Sequence, residues 1–133
     1  MHVLQPPGWD APQGYANGIV VPAGRIVFLA GQVGWDAQQR FQSPELAPQF
    51  AQALDNVLAL VREAGGQPHH VCRITAFCRD KPAYLAARGE LGRIWRERMG
   101  RHYPAMSMIF VADLLDHPGV IELEATAVLP ATP

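Results

Sequence analysis

A chain of 133 residues with 49% hydrophobic and 17% charged side chains has the size and composition of one globular domain, able to bury a core without disulfide or metal staples. Eleven basic and twelve acidic residues are mixed along it for a formal net charge of −1, so no basic stripe points to nucleic acid or an anionic membrane. Met1 to Pro7 lacks the basic and apolar regions of a signal peptide, and no apolar run approaches the roughly 20 residues of a membrane span, which predicts a cytosolic protein whose partners are small molecules or proteins.

Two β-like runs open the chain, Tyr15 to Val21 and Arg25 to Val33. Pro22-Ala23-Gly24 between them supplies a fixed φ and a permissive glycine, and predicts a hairpin turn. A polar loop, Gly34 to Arg40, follows. Ser43-Pro44-Glu45 reads as a helix start, with a hydroxyl N-cap and proline at the first helical position. Leu46, Phe50, Ala53, Leu54, Val57 and Val61 continue at helical spacing until Gly65-Gly66.

Val71 to Arg79 reads as a strand, with Cys72, Ile74, Ala76 and Cys78 on the face under a helix. Six extended residues put the two cysteines roughly 20 Å apart, out of disulfide reach. They are either small buried hydrophobes or a reactive thiol. Asp80-Lys81-Pro82 opens a second helix ending near Met99, before Gly100. Its apolar stripe is Tyr84, Leu91 and Trp95, with Ile94 and Met99 at the edge, and Arg88 falls inside it. Gly89 and Gly92 occupy another face, open to close approach of a neighbouring backbone. Strands near 105–112 and 119–129 complete the chain.

The order β-β-α-β-α-β-β predicts a single α+β domain over residues 1–133, one sheet with two helices on one face. The other face carries Arg73, Thr75 and Phe77, with Glu122, Glu124, Thr126 and Val128 from the last strand. A half-polar, half-apolar open face suits burial against other subunits.

Known chemical signatures are scarce. The histidines (His2, His69, His70, His102 and His117) form no HExxH and no cysteine pairing at zinc spacing, so no metal is expected. GxSxG, CxxC and phosphate-binding glycine loops are absent, and no cofactor is implied. What remains is Ile121-Glu122-Leu123-Glu124, whose alternation places both acids opposite the core. Two like charges on one face raise each other's pKa when partly buried, a route to a general acid or base; the alternative is a solvated face with a salt bridge. An antiparallel hairpin of the last two strands would bring Met106 and Met108 level with Leu123 to Thr126, the shared face depending on register.

"GYANGIVVPAGRIVFLAGQVGWD", "QALDNVLALVREAGG", "VCRITAFCRD" and "YPAMSMIFVADLLDHPGVIELEATAV" together resemble the YjgF/RidA family of reactive-intermediate deaminases over about residues 14 to 130. The resemblance implies a chorismate-mutase-like fold and a homotrimer with a central barrel and three intersubunit clefts. It also implies hydrolysis of enamines and imines to ketoacids and ammonia. Matched position by position, Tyr15 corresponds to the family's first-strand tyrosine, Gly31 to the cleft-lining glycine, and Glu122 to the acid that positions water. Met106, in Pro104-Ala105-Met106-Ser107, stands where the family carries an arginine for the substrate carboxylate. Losing that fork would cost on the order of 2–5 kcal/mol of carboxylate binding, so the chain reads as a divergent member of altered specificity. Met106, Ser107 and Met108 would then shape the pocket. Arg88 occupies a position where relatives carry a pocket asparagine; it supplies a cation from another wall, pairs with Glu122, or makes a structural contact. The competing functions are a hydrolase using Glu122 and a non-catalytic trimer that binds a metabolite or partner. Ribonuclease chemistry finds no support in the charge.

Overall fold

The computed structural model describes residues 1–132. Its strands are β1 (His2–Leu4), β2 (Gly18–Val20), β3 (Gly24–Val33), β4 (Val71–Cys78), β5 (Ala105–Phe110) and β6 (Ile121–Pro130); the helices are α1 (Leu46–Glu63) and α2 (Lys81–Met99). The main sheet runs β3-β6-β4-β5, with both helices against one face. This is the expected α+β layering.

The expected hairpin between the first two runs does not form. β2 pairs antiparallel with β1, a strand the sequence did not announce, and β3 pairs with β6 instead. Gly24 matters for close approach rather than for turning: a Cβ there would lie 2.1 Å from the Leu129 carbonyl oxygen.

α1 begins two residues later than expected. Glu45, not Ser43, holds the N-cap position without a side-chain hydrogen bond, and Ser43 Oγ instead accepts from the Glu45 N–H (3.1 Å) in a turn before the helix. The far end closes as anticipated. Gly65 takes a left-handed φ of 89°, and Gly66 and Gly65 donate back to the Val61 and Arg62 carbonyls. α2 starts under Asp80, whose carboxylate accepts from the Ala83 N–H at 3.0 Å.

Core packing follows the two periodicities. Leu54, Val57 and Val61 of α1 and Leu91, Ile94, Trp95 and Met99 of α2 cover Ile74, Ala76, Cys78, Leu123, Ala125, Ala127 and Leu129. Cys72 leaves that row because a register shift between Val71 and Arg73 turns Val71 inward; Cys72 is half-buried, its thiol on the Thr126 carbonyl at 3.4 Å. Both cysteines are free, and burial raises both thiols above their ordinary pKa.

Buried Gln49, 1% exposed, ties the loop before β6 to α1: Nε2 donates to the Ser43 and Pro118 carbonyls (2.9 and 3.0 Å) and Oε1 accepts from the Val120 N–H (2.8 Å). It fixes where β6 starts, and therefore where Glu122 stands.

The last two strands are not a hairpin. β5 runs parallel to β4, as a strand reached through a crossover helix must, and β4 lies between β5 and β6. Ile74 aligns with Met106 on one side and Ala125 on the other; Phe77 aligns with Ile109 and Glu122. Met106 and Met108 therefore lie on the helix-covered face, while Glu122, Glu124 and Ser107 lie on the open one. The open face also carries Phe28 and Ile26 of β3, 80% and 60% exposed.

Candidate functional site

Within one chain the sequence-derived candidates fall into two separate groups. The first surrounds Glu122. The backbone of Gly31, at the irregularity in β3 between Leu29 and Gln32, comes so close that an added Cβ would lie 2.8 Å from Glu122 Cδ and 2.9 Å from Oε2. Glycine is what lets the strand and the carboxyl share this space. Partial burial holds the Glu122 carboxyl above its ordinary pKa of 4.5, and the charges of Asp116 and then Glu124 push it the same way. Neighbouring Glu124 is thus the smallest of three causes, and Asp116, from the preceding loop, is one the sequence reading missed. Glu124 is exposed and forms no ion pair among the described residues, so of the alternative reading the solvated face holds there and the salt bridge does not.

The second group lines a cavity of about 580 Å³ between α2, β5 and the segment before β2. Met106 and Met108 form its floor, Tyr84, Trp95 and Tyr103 its aromatic walls, and Arg88 stands at its edge. Trp95 and Tyr103 stack with centroids 6.1 Å apart, and the Trp95 indole N–H donates to the His102 carbonyl at 3.1 Å. No backbone packs on Gly89 or Gly92, contrary to expectation; both glycines open onto this cavity. Arg88 forms no ion pair with Glu122, which lies across the sheet. Tyr15 is exposed at the sheet edge beside Ala16, which bridges Ala105; Gly14 and Gln13, rather than Tyr15, line the cavity. Tyr84 and Trp95 read as ordinary core in the sequence, and nothing there singled out Tyr103. The four-residue spacing of Arg88, Gly92 and Arg96 was the available signal for a polar stripe on this wall.

Among the described residues no cluster of three or more His, Cys, Asp or Glu side chains is arranged to hold a metal ion, and no helix is long and apolar enough to cross a membrane.

Comparison with known proteins decides the family. Residues 8–129 match the family model described as Endoribonuclease L-PSP. The chain is 32% identical over 108 residues to a RutC family protein of Pasteurella multocida, covering 81% of this chain and 83% of that one. Its fold matches the crystal structure of YyfB, a Rid-family protein of unknown function from Yersinia pestis, with a TM-score of 0.84, 32% identity and coverage of 96% and 98%. The chain belongs to the YjgF/RidA family. The E. coli YjgF structure, 29% identical with a TM-score of 0.67, covers 89% of this chain and 90% of its own. E. coli TdcF, solved with bound serine, is 26% identical with a TM-score of 0.68 and coverage of 97% and 99%. YjgF/RidA membership accounts for the layering, the two helices on one face and the strand order, and it leaves the chemistry to the residues of this chain.

Proposed function

We propose that the chain is one subunit of a homotrimer that hydrolyses enamines or imines, with Glu122 as the acid–base group and a specificity altered by Met106. The observation that carries this reading is the Glu122 carboxyl: held against the Gly31 backbone, partly buried, with its pKa raised. Such a group accepts a proton from water and returns it to a leaving nitrogen. An enamine first gains a proton at carbon and loses one from nitrogen, becoming the imine. Water oxygen then bonds to the C=N carbon as Glu122 takes its proton, and the C=N pair moves to nitrogen. Glu122 returns that proton to the nitrogen, and collapse of the adduct breaks the C–N bond as the hydroxyl proton passes to the leaving nitrogen, forming the carbonyl and ammonia.

The separation of the two groups across the sheet supports a site shared between copies. Gly31 and Glu122 of one subunit would face Met106, Met108 and Arg88 of the next, with Ser107 and Tyr15 near the seam. Exposed Phe28 and Ile26 supply apolar surface for that contact. Serine bound to the relative TdcF agrees with a small amino-acid-derived ligand. Here Met106 removes a fork and leaves an apolar floor, which suits a bulkier substrate. A net charge of −1 argues against RNA.

The test is ketoacid formation from a panel of imines generated by amino-acid oxidases. Acceleration for imines with long or bulky side chains over small ones, lost in Glu122→Ala, is the expected result. No acceleration for any imine would replace this reading with a non-catalytic binding trimer, which Met106 favours.

A further inference from the structure

The cavity beside β5 carries an unusual charge pattern. Its walls include Arg88 and Arg96 and no aspartate or glutamate. The other α2 arginines are engaged elsewhere: Arg93 with Glu90 and Glu97, and Arg98 with Asp55 at 2.7 Å. Arg88 and Arg96 join no ion pair among the described residues. They lie eight residues apart on one helix face, so their backbones are separated by about 12 Å along the axis. Gly92 stands midway, and a Cβ there would lie 3.2 Å from Arg96 Nη1, so that guanidinium folds back over the glycine. Two unpaired cations thus share one wall, carried by residues two turns apart with Tyr84 beside them on α2, and face the apolar and aromatic surface of Tyr103, Met106 and Met108.

We infer that this cavity selects an elongated ligand with a carboxylate at each end and an apolar spine between them, gripped by Arg88 and Arg96. A compact anion offers a single charged group to the two guanidinium forks and leaves the apolar surface between them uncovered. A monocarboxylate of equal length leaves the second cation unpaired. The inference deepens the reading above by naming its substrate class, an imino dicarboxylic acid, and rests on that reading for the identity of the pocket. It also answers the loss at Met106, because the anion is recognised from the helix instead of from β5.

Calorimetric titration of the intact protein with unreactive probes tests it: suberate, octanoate and inorganic phosphate. Suberate is expected to bind about ten- to hundredfold more tightly than octanoate, the worth of one charge-assisted fork. Arg88→Ala and Arg96→Ala should each bring suberate to the level of octanoate. Arg96→Lys should recover part of the loss, because it keeps charge but not the fork. Gly92→Ala should weaken suberate while raising the melting temperature, separating a displaced guanidinium from a damaged helix. Equal affinity for suberate and octanoate, phosphate binding as tight as suberate, or no response to either arginine substitution would overturn the assignment. Imine turnover measured alongside keeps the two ideas apart. Suberate selectivity through both arginines without turnover of any imine upholds the ligand class and removes the hydrolase; Glu122-dependent turnover without suberate selectivity does the reverse.

Discussion

Gly31→Ala probes the proposed chemistry through geometry alone. The new methyl carbon would lie 2.8 Å from Glu122 Cδ, 2.9 Å from Oε2 and 3.0 Å from Cγ. Comfortable carbon contacts begin near 3.5 Å, so the carboxyl must retreat by about 0.7 Å or more. Gly31 is not among the glycines with positive φ, so the cost is the displaced side chain rather than backbone strain. Forcing one side chain off its preferred rotamer costs about 0.5–1.5 kcal/mol, a fall in melting temperature of a few degrees for a domain this size. Misplacing a reacting group by about 1 Å costs on the order of 100-fold in rate. The variant should therefore fold, melt slightly early, and lose most of its turnover of the best imine at saturating substrate. Thermal denaturation and kcat on one preparation give both numbers. A kcat within threefold of the parent, with the melting shift as expected, would mean that the reaction does not depend on where Glu122 stands.

Further outcomes follow from other contacts. The raised pKa of Glu122 means that the folded chain holds its proton to higher pH than the unfolded chain does. Below pH 4.5 both states are protonated and the group is neutral to stability; above it, stability declines until the folded pKa is passed. Glu122→Gln should therefore be more stable than the parent at neutral pH, with the difference vanishing on acidification below 4.5, as read by urea midpoints across pH. Gln49→Leu leaves the Val120 N–H and two carbonyls without their partner, and at about 1–3 kcal/mol for each of these three groups it should lose roughly 3–9 kcal/mol in urea unfolding. Phe28→Asp puts a charge where the open face would meet its copies. If the proposed trimer buries Phe28, the change removes about 1.5–3 kcal/mol of burial per subunit, and native mass spectrometry should show monomer where the parent forms a trimer.

Apart from β1, the elements were legible because each is a local pattern. Apolar residues at helical spacing and a glycine stop marked α1; the Asp80 cap and Pro82 marked α2; alternation in Ile121 to Ala127 put Glu122 and Glu124 opposite the core. Gly31, Glu122, Met106 and Arg88 were legible through resemblance to a family pattern. Tyr84 and Trp95 were not, because aromatics at helical spacing read the same whether they meet packed core or an opening; Arg96 and Tyr103 join them only through the packing of α2 on β5.

What the sequence determined by itself was the parity of each uninterrupted run, which side chains share a face along it; where a register shift breaks the alternation, as at Cys72, parity failed too. Tertiary structure decided which runs are neighbours. Pairing β5 with β4 and placing β6 on β4's other side are non-local choices, and they put Met106 and Met108 across the sheet from Glu122. Alternation cannot report this, since a strand's period of two is identical whichever edge its partner occupies. The physical consequence is that one copy of the chain holds an acid on one side and a cation-edged cavity on the other.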